Sequence, residues 1–263
     1  MTVYYYILVF TYGLIIGSFL NVCIYRMPLG ESVVKPPSHC PKCGTRLTVF
    51  DLVPLFSYLF LRGKCRYCKV KIPIKYLMME LLTAIIYLPL FYKYGQSGQY
   101  IEFFAAAFLM SILIVVFFID LKHRKIPNSL VIIGFLGSVA VIVYNFFRPL
   151  DIYGDGNWWN PIVGMVSGSG FLLIVSLICM GLLKKEAFGF GDIKLFAVIG
   201  GYIGWKMGIV ALLISFVISA LAVLIGAVLK REDKKGNIAF GSFISVGTYI
   251  TLLFGGEIIK LFY

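Results

Sequence analysis

Apolar runs of about twenty residues recur along the whole chain, and a run of that length matches the hydrocarbon thickness of a bilayer. Hydrophobic residues make up 60% of the sequence and charged residues 14%, with a mean hydropathy of +0.93. A soluble domain is nearer half apolar and a quarter charged. Only helices and closed barrels satisfy their backbone within lipid, and runs this long are helical. The expected fold is therefore an all-α polytopic membrane protein. A formal charge of +12 on a soluble surface would suggest nucleic acid. Here the Lys and Arg residues are confined to a few loops, which is a topology signal, so no nucleic-acid partner is expected.

The pattern predicts eight hydrophobic segments, near residues 3–24, 76–92, 101–119, 127–147, 161–183, 193–203, 207–229 and 244–261. The sixth is short and carries Gly200, Gly201 and Gly204, so a half-length or broken helix is expected there. Gly164, Gly168 and Gly170 in the fifth have the small-residue spacing of a close-packing face. No basic residue precedes the first segment and no small-residue cleavage site follows it, so it reads as a retained helix and not a signal peptide. Basic loops follow the first, third, fifth and seventh segments; Lys184-Lys185-Glu186 and the cluster Lys230–Lys235 are two of them. The positive-inside bias puts these loops in the cytoplasm and both termini outside. The opposite loop holds Asp151, Asp155, Trp158 and Trp159, fitting an outer interface. Three parts follow: a first helix (1–24), a polar loop (25–75) and a helical membrane domain (76–263).

The 25–75 loop carries ten Lys and Arg residues against Glu31 and Asp51. Within it lie Cys40-Pro41-Lys42-Cys43 and Cys65-Arg66-Tyr67-Cys68. Two C-x-x-C pairs supply four sulfurs on two tight turns, a donor set suited to tetrahedral zinc. Disulfides are the rival reading, and the reducing cytosol argues against them. Between the pairs, the apolar stretch 52–61 is too short and Pro-interrupted to span. It is expected on the membrane surface or packed in the loop. Glu80 lies just inside the second span, and Lys75 is its expected structural partner. Cys23 and Cys179 sit in apolar runs as packing residues.

Two acids remain. Asp120 closes an inward-going span and Asp192 opens an outward-going one. Two crossings separate them, so they share one face. A charge at that depth needs a cavity or a partner. Two neighbouring carboxyls cannot both ionise, so the pair holds one proton between them, the arrangement that activates water against a peptide carbonyl. Asp192 sits in Gly189-Phe190-Gly191-Asp192-Ile193-Lys194. The glycines permit close backbone approach, and an extended Gly-x-Gly strand is expected to pair with an unwound substrate. Lys194 reads as an interface anchor, and His123 as a solvated charge.

These residues also carry a resemblance. Gly17-Ser18-Phe19-Leu20-Asn21-Val22 with Arg26 and Pro28, the four cysteines, Val53-Pro54-Leu55-Phe56-Ser57-Tyr58, Leu61-Arg62-Gly63-Lys64-Cys65, Glu80-Leu81, Asp120 with Ile126-Pro127-Asn128, and Gly189–Leu195 together resemble the bacterial type IV prepilin peptidases, or leader peptidase/N-methyltransferases. The resemblance covers nearly the full length. It implies that Asp120 and Asp192 are the catalytic pair of a GxGD-type membrane aspartic peptidase. The implied substrates are prepilins and pseudopilins, cut after a Gly at the cytoplasmic face of the bacterial inner membrane. It further implies methylation of the new N-terminal residue, usually Phe, by S-adenosylmethionine, with Gly63 and Lys64 as the positions carried over for the methyl donor. The chain departs from the family pattern at 238–243, where Ala239 and Ser242 stand where prolines are common. Tyr76–Glu80 also lacks a usual Pro. An ion-coupled transporter, and a non-catalytic assembly factor of the pilus or secretion machinery, are the alternatives.

Overall fold

The computed structural model describes residues 2–154, 156–184, 188–228 and 239–261. Asp155, Lys185, Glu186, Leu229, the Lys230–Lys235 cluster and Ile238 lie outside the described residues. Among the described residues every regular element is helical: α1 Thr2–Arg26, α2 Phe56–Phe60, α3 Lys75–Leu90, α4 Tyr100–His123, α5 Asn128–Phe147, α6 Asn160–Leu183, α7 Phe190–Val228 and α8 Phe240–Lys260. All but α2 are long and apolar enough to cross a bilayer. The chain divides into two compact units, Met1–Gly98 and Gln99–Tyr263.

In the first unit α1 packs on α3. Lipid tails are as apolar as Leu, so helices associate in a membrane through close van der Waals contact at small residues. Gly13 and Gly17 provide it: a Cβ at Gly13 would come 2.5 Å from Ala84 Cα, and one at Gly17 2.7 Å from Glu80 Cα. The Asn21 amide donates to the Tyr76 carbonyl at 3.0 Å, closing the same face. Glu80 does not take its expected partner. Its Oε2 accepts the Leu55 N–H at 2.8 Å, the Ser18 side chain bonds it as well, and Lys75 stands over the Tyr76 ring. Five helical residues turn through about 140° relative to one another, so Lys75 and Glu80 never shared a face. The 52–61 stretch forms only the single turn and a half of α2. It leaves Phe56, Leu59 and Phe60 exposed, Phe60 at 83%.

In the second unit α4 is the most enclosed span, with Leu109, Leu113 and Val116 fully buried. At 39 residues, α7 would reach about 59 Å, twice the hydrocarbon thickness. It is two helices joined at Gly204, whose φ of 73° and ψ of −179° break the spiral. The expected sixth and seventh segments are these two arms. Gly200 and Gly201 do not interrupt the first arm. They are helical, and Gly200 lies against the Gly164 backbone of α6.

A break in lipid strands backbone groups that water cannot reach, and side chains meet them here. The Tyr153 hydroxyl donates to the Gly201 carbonyl at 3.0 Å. Asn160 Oδ1 accepts the Trp205 N–H at 3.2 Å, and its amide donates to the Tyr153 carbonyl at 3.2 Å. The loop that carries Tyr153 is itself held: Glu102 accepts the Ile152 N–H at 3.1 Å and Asn145 the Leu150 N–H at 2.9 Å. Asn160→Ala is expected to cost about 1–2 kcal/mol, the loss of a helix cap. Gly204→Ala is expected to cost more, since an L-residue strains at that φ and its Cβ would meet Asn160 and Tyr153. Thermal unfolding in detergent measures both. Wild-type stability in Gly204→Ala would mean that the two arms do not depend on this break.

Candidate active site

Asp120 and Asp192 both lie in the second unit, and both sit on helices, not in loops. Asp120 occupies the last turn of α4, and Asp192 the first turn of α7. Both are buried, at 5% and 8% exposure. The two carboxyls are near enough to act on each other electrostatically.

The expected extended strand at Gly189–Gly191 is a helix start instead. Asp192 Oδ2 reaches back to the Gly189 N–H at 3.2 Å while the Asp192 N–H donates to the Gly189 carbonyl at 3.0 Å. The first amides of a helix have no intrahelical partner, which favours a carboxylate there. Gly191 lies inside the first turn, where a Cβ would stand 3.2 Å from Ile126 Cβ. Its small size brings α7 against the α4–α5 connection. Ile126 also touches α8: a Cβ at Gly241 would lie 3.0 Å from both Ile126 Cδ1 and Asp120 Oδ2. Ile126 is thus wedged between the starts of α7 and α8. Pro127 precedes the first residue of α5, and Asn128 Oδ1 accepts from Lys194 Nζ at 3.3 Å. Lys194 also stands 4.7 Å over the Phe190 ring. His123 is exposed.

Sequence reading placed the third helix of this corner but missed its early start and its contact with Asp120. The α8 helix begins at Phe240, four residues earlier than expected, which puts Ser242 in its first turn. The Ser242 N–H donates to Asp120 Oδ2 at 3.0 Å, and its hydroxyl lies 3.4 Å from the same oxygen and 3.1 Å from the Phe117 carbonyl. Phe188, Phe216 and Phe240 pack ring on ring, with centroids 4.9–5.7 Å apart, and tie the start of α7, its second arm and the start of α8 together. The glycine and serine at 241–242 were visible in the sequence, but nothing local linked them to an acid 122 residues away.

The four cysteines form a separate cluster in the first unit. Their sulfurs all lie within 4.8 Å of one another, with Cys40 and Cys68 at 3.8 Å, and none forms a disulfide. Four ligands about 2.3 Å from a tetrahedral zinc lie roughly 3.8 Å apart, so the set fits a metal. The two turns match in detail. Gly44 N–H donates to the Cys40 carbonyl and Lys69 N–H to the Cys65 carbonyl, and both Gly44 and Lys69 have positive φ. The sulfurs compete for charge. The hydroxyl and N–H of Thr45 hold the Cys43 thiol down at about 6. Although the Val70 N–H favours the Cys68 thiolate, burial and the neighbouring sulfurs push that thiol up to about 11. A divalent cation would relieve this competition. Asp51 braces the second turn, accepting from Arg66 at 2.6 Å and Tyr67 at 3.2 Å. Burial would raise its carboxyl, but bonds from Thr48, Arg66 and Tyr67 hold it at about 2. Gly63 and Lys64 flank this turn. Gly63 is buried with φ +65° against the Tyr58 hydroxyl, and Lys64 is exposed.

Fold and site define a class: a multi-pass helical membrane protein with two buried aspartates at one helix corner and a four-cysteine loop. Comparison with known proteins narrows it. Residues 11–94 match the Bacterial Peptidase A24 N-terminal domain, and residues 107–224 match the Type IV leader peptidase family. Proteins named prepilin leader peptidase/N-methyltransferase align along nearly the whole chain. The one from Bacillus subtilis is 35% identical over 97% of this chain and 96% of its own length. Those from Neisseria gonorrhoeae (32%, over 90% and 86%) and Aeromonas hydrophila (30%, over 97% and 93%) follow the same pattern. No solved structure matches. The chain belongs to the type IV leader peptidase family.

Replacing Cys40 or Cys65 with Ser is expected to remove one ligand from a four-ligand site and lower bound metal from about one ion per chain to a small fraction of that. Elemental analysis of purified protein reads the ratio. A wild-type protein free of metal would show that the cluster is only a thiol cluster.

Proposed function

We propose that this chain removes the leader from type IV prepilins and pseudopilins, with Asp120 and Asp192 as the catalytic pair, and then methylates the new N-terminal residue. The observation that carries the reading is the convergence of three helix ends, from α4, α7 and α8, on two buried carboxyls in a family of leader peptidases. Between them the carboxyls hold one proton. The ionised member takes a proton from water, the water oxygen attacks the scissile carbonyl carbon, and the protonated member donates to the carbonyl oxygen; the C–N bond then breaks as the leaving nitrogen takes the proton that the first carboxyl had removed from water. Proton traffic belongs to the pair as a unit.

The basic loops lie in the cytoplasm of a bacterial inner membrane, so the pair faces the side where a prepilin keeps its leader. Zinc held by Cys40, Cys43, Cys65 and Cys68 is structural: four thiolates complete its shell and leave no open position. S-adenosylmethionine is the methyl donor for the second reaction. Gly63 and Lys64 serve its site by their resemblance to the family pattern, and they immediately precede Cys65.

Asp120→Asn and Asp192→Asn are each expected to abolish leader removal, a loss of at least about a thousandfold, while the folded protein remains in the membrane. Gel mobility of a co-expressed prepilin reads the outcome. Full cleavage by either variant sinks the dyad. A prepilin bound but never shortened by the wild type indicates an assembly factor, and ion flux in liposomes without cleavage indicates a transporter.

A further inference from the structure

The two carboxyls are not met alike. Asp192 Oδ2 takes one N–H, from Gly189, its own helix start. Asp120 lies at the C-terminal end of α4, where backbone carbonyls disfavour an anion. It is met from outside by α8. The Ser242 N–H reaches Oδ2 at 3.0 Å and the Ser242 hydroxyl at 3.4 Å. Gly241 lies against the same oxygen: a Cβ there would stand 3.0 Å from Oδ2. Ser242 is itself buried, at 2% exposure, and its hydroxyl also spans to the Phe117 carbonyl, one turn before Asp120. These bonds fix the place of the Asp120 carboxyl.

We propose that Ser242 is a positioning residue that holds Asp120 as the ionised, proton-accepting member of the pair, so that the shared proton resides on Asp192. The proposal rests on the dyad reading above. The attacking water then gives its proton to Asp120 while its oxygen bonds the carbonyl carbon, and Asp192 passes its proton to the carbonyl oxygen. Hydrogen bonds to a charged acceptor are stronger than those to a neutral one, so the Ser242 donors at Oδ2 favour the ionised form of Asp120.

The test is steady-state cleavage of a purified prepilin by the full chain in detergent. Ser242→Ala keeps the N–H and loses the hydroxyl, and is expected to lower kcat about three- to tenfold with KM within about twofold. Ser242→Thr retains both donors and is expected to restore kcat. Unchanged kcat in Ser242→Ala overturns the proposal. So does a loss confined to KM or to the yield of folded protein. If Asp120→Asn and Asp192→Asn are inactive while the Ser242 variants cleave normally, this assignment fails and the dyad stands. If either Asn variant cleaves normally, the dyad itself fails.

Discussion

A carboxyl group inside a bilayer must be met by hydrogen-bond donors, and the donors available without further charge are the first amides of a helix. That constraint shapes the second unit. Asp192 is met at the start of α7 by Gly189, and Asp120 at the start of α8 by Ser242. Both helices must therefore begin at one place, beside the last turn of α4. The glycines follow from this. Gly191 and Gly241 lie against the two sides of Ile126, and a larger side chain at either would push a helix start away from its carboxylate.

Placing two helix starts together fixes the rest of the bundle. Starting at Asp192, α7 is too long to cross once, so it turns at Gly204, and the second arm packs on α8: Ser215 against Gly247, Met207 against Gly255. The turn is in turn fixed by Tyr153 and Asn160, which take up the backbone groups it frees. The aromatic cluster of Phe188, Phe216 and Phe240 ties the corner to the middle of that arm. The first unit solves a different problem. A short polar loop has too little apolar surface for a core, so its two matched cysteine turns carry the structure, with Asp51 bracing one of them.

How much of this could be read beforehand depended on the distance between partners. The cysteine turns and the Gly189–Asp192 run are local, and each announces its chemistry within a few residues. The spans were legible because lipid demands length. Their ends were not: Phe190, Phe240 and His123 extend the helices past the limits that hydropathy set, because polar residues in a first or last turn look like loop. That error left Ser242 outside its helix and made a strand of Gly189–Gly191. Ser242, Tyr153 and Asn160 act on groups 122, 48 and 45 residues away, and no pattern in one sequence connects such pairs. The opposite error befell Glu80. Lys75 was near in sequence but on the wrong side of the helix, and the true partner, the Leu55 N–H, came from the loop.

The departure noted at Ala239 and Ser242 takes on a definite meaning in this geometry. A proline at 242 would sit comfortably in the first turn of α8, but it would bring neither an N–H nor a hydroxyl to Asp120. This chain has both. Gly241 leaves room for the carboxylate to reach them. The same reasoning separates the roles of the two glycine-bearing helix starts. The start of α7 caps an acid that it carries itself, whereas the start of α8 receives an acid delivered by α4. An acid met by a second helix can be tuned by changes in that helix without moving its own backbone, and Asp120 is the member of the pair built that way.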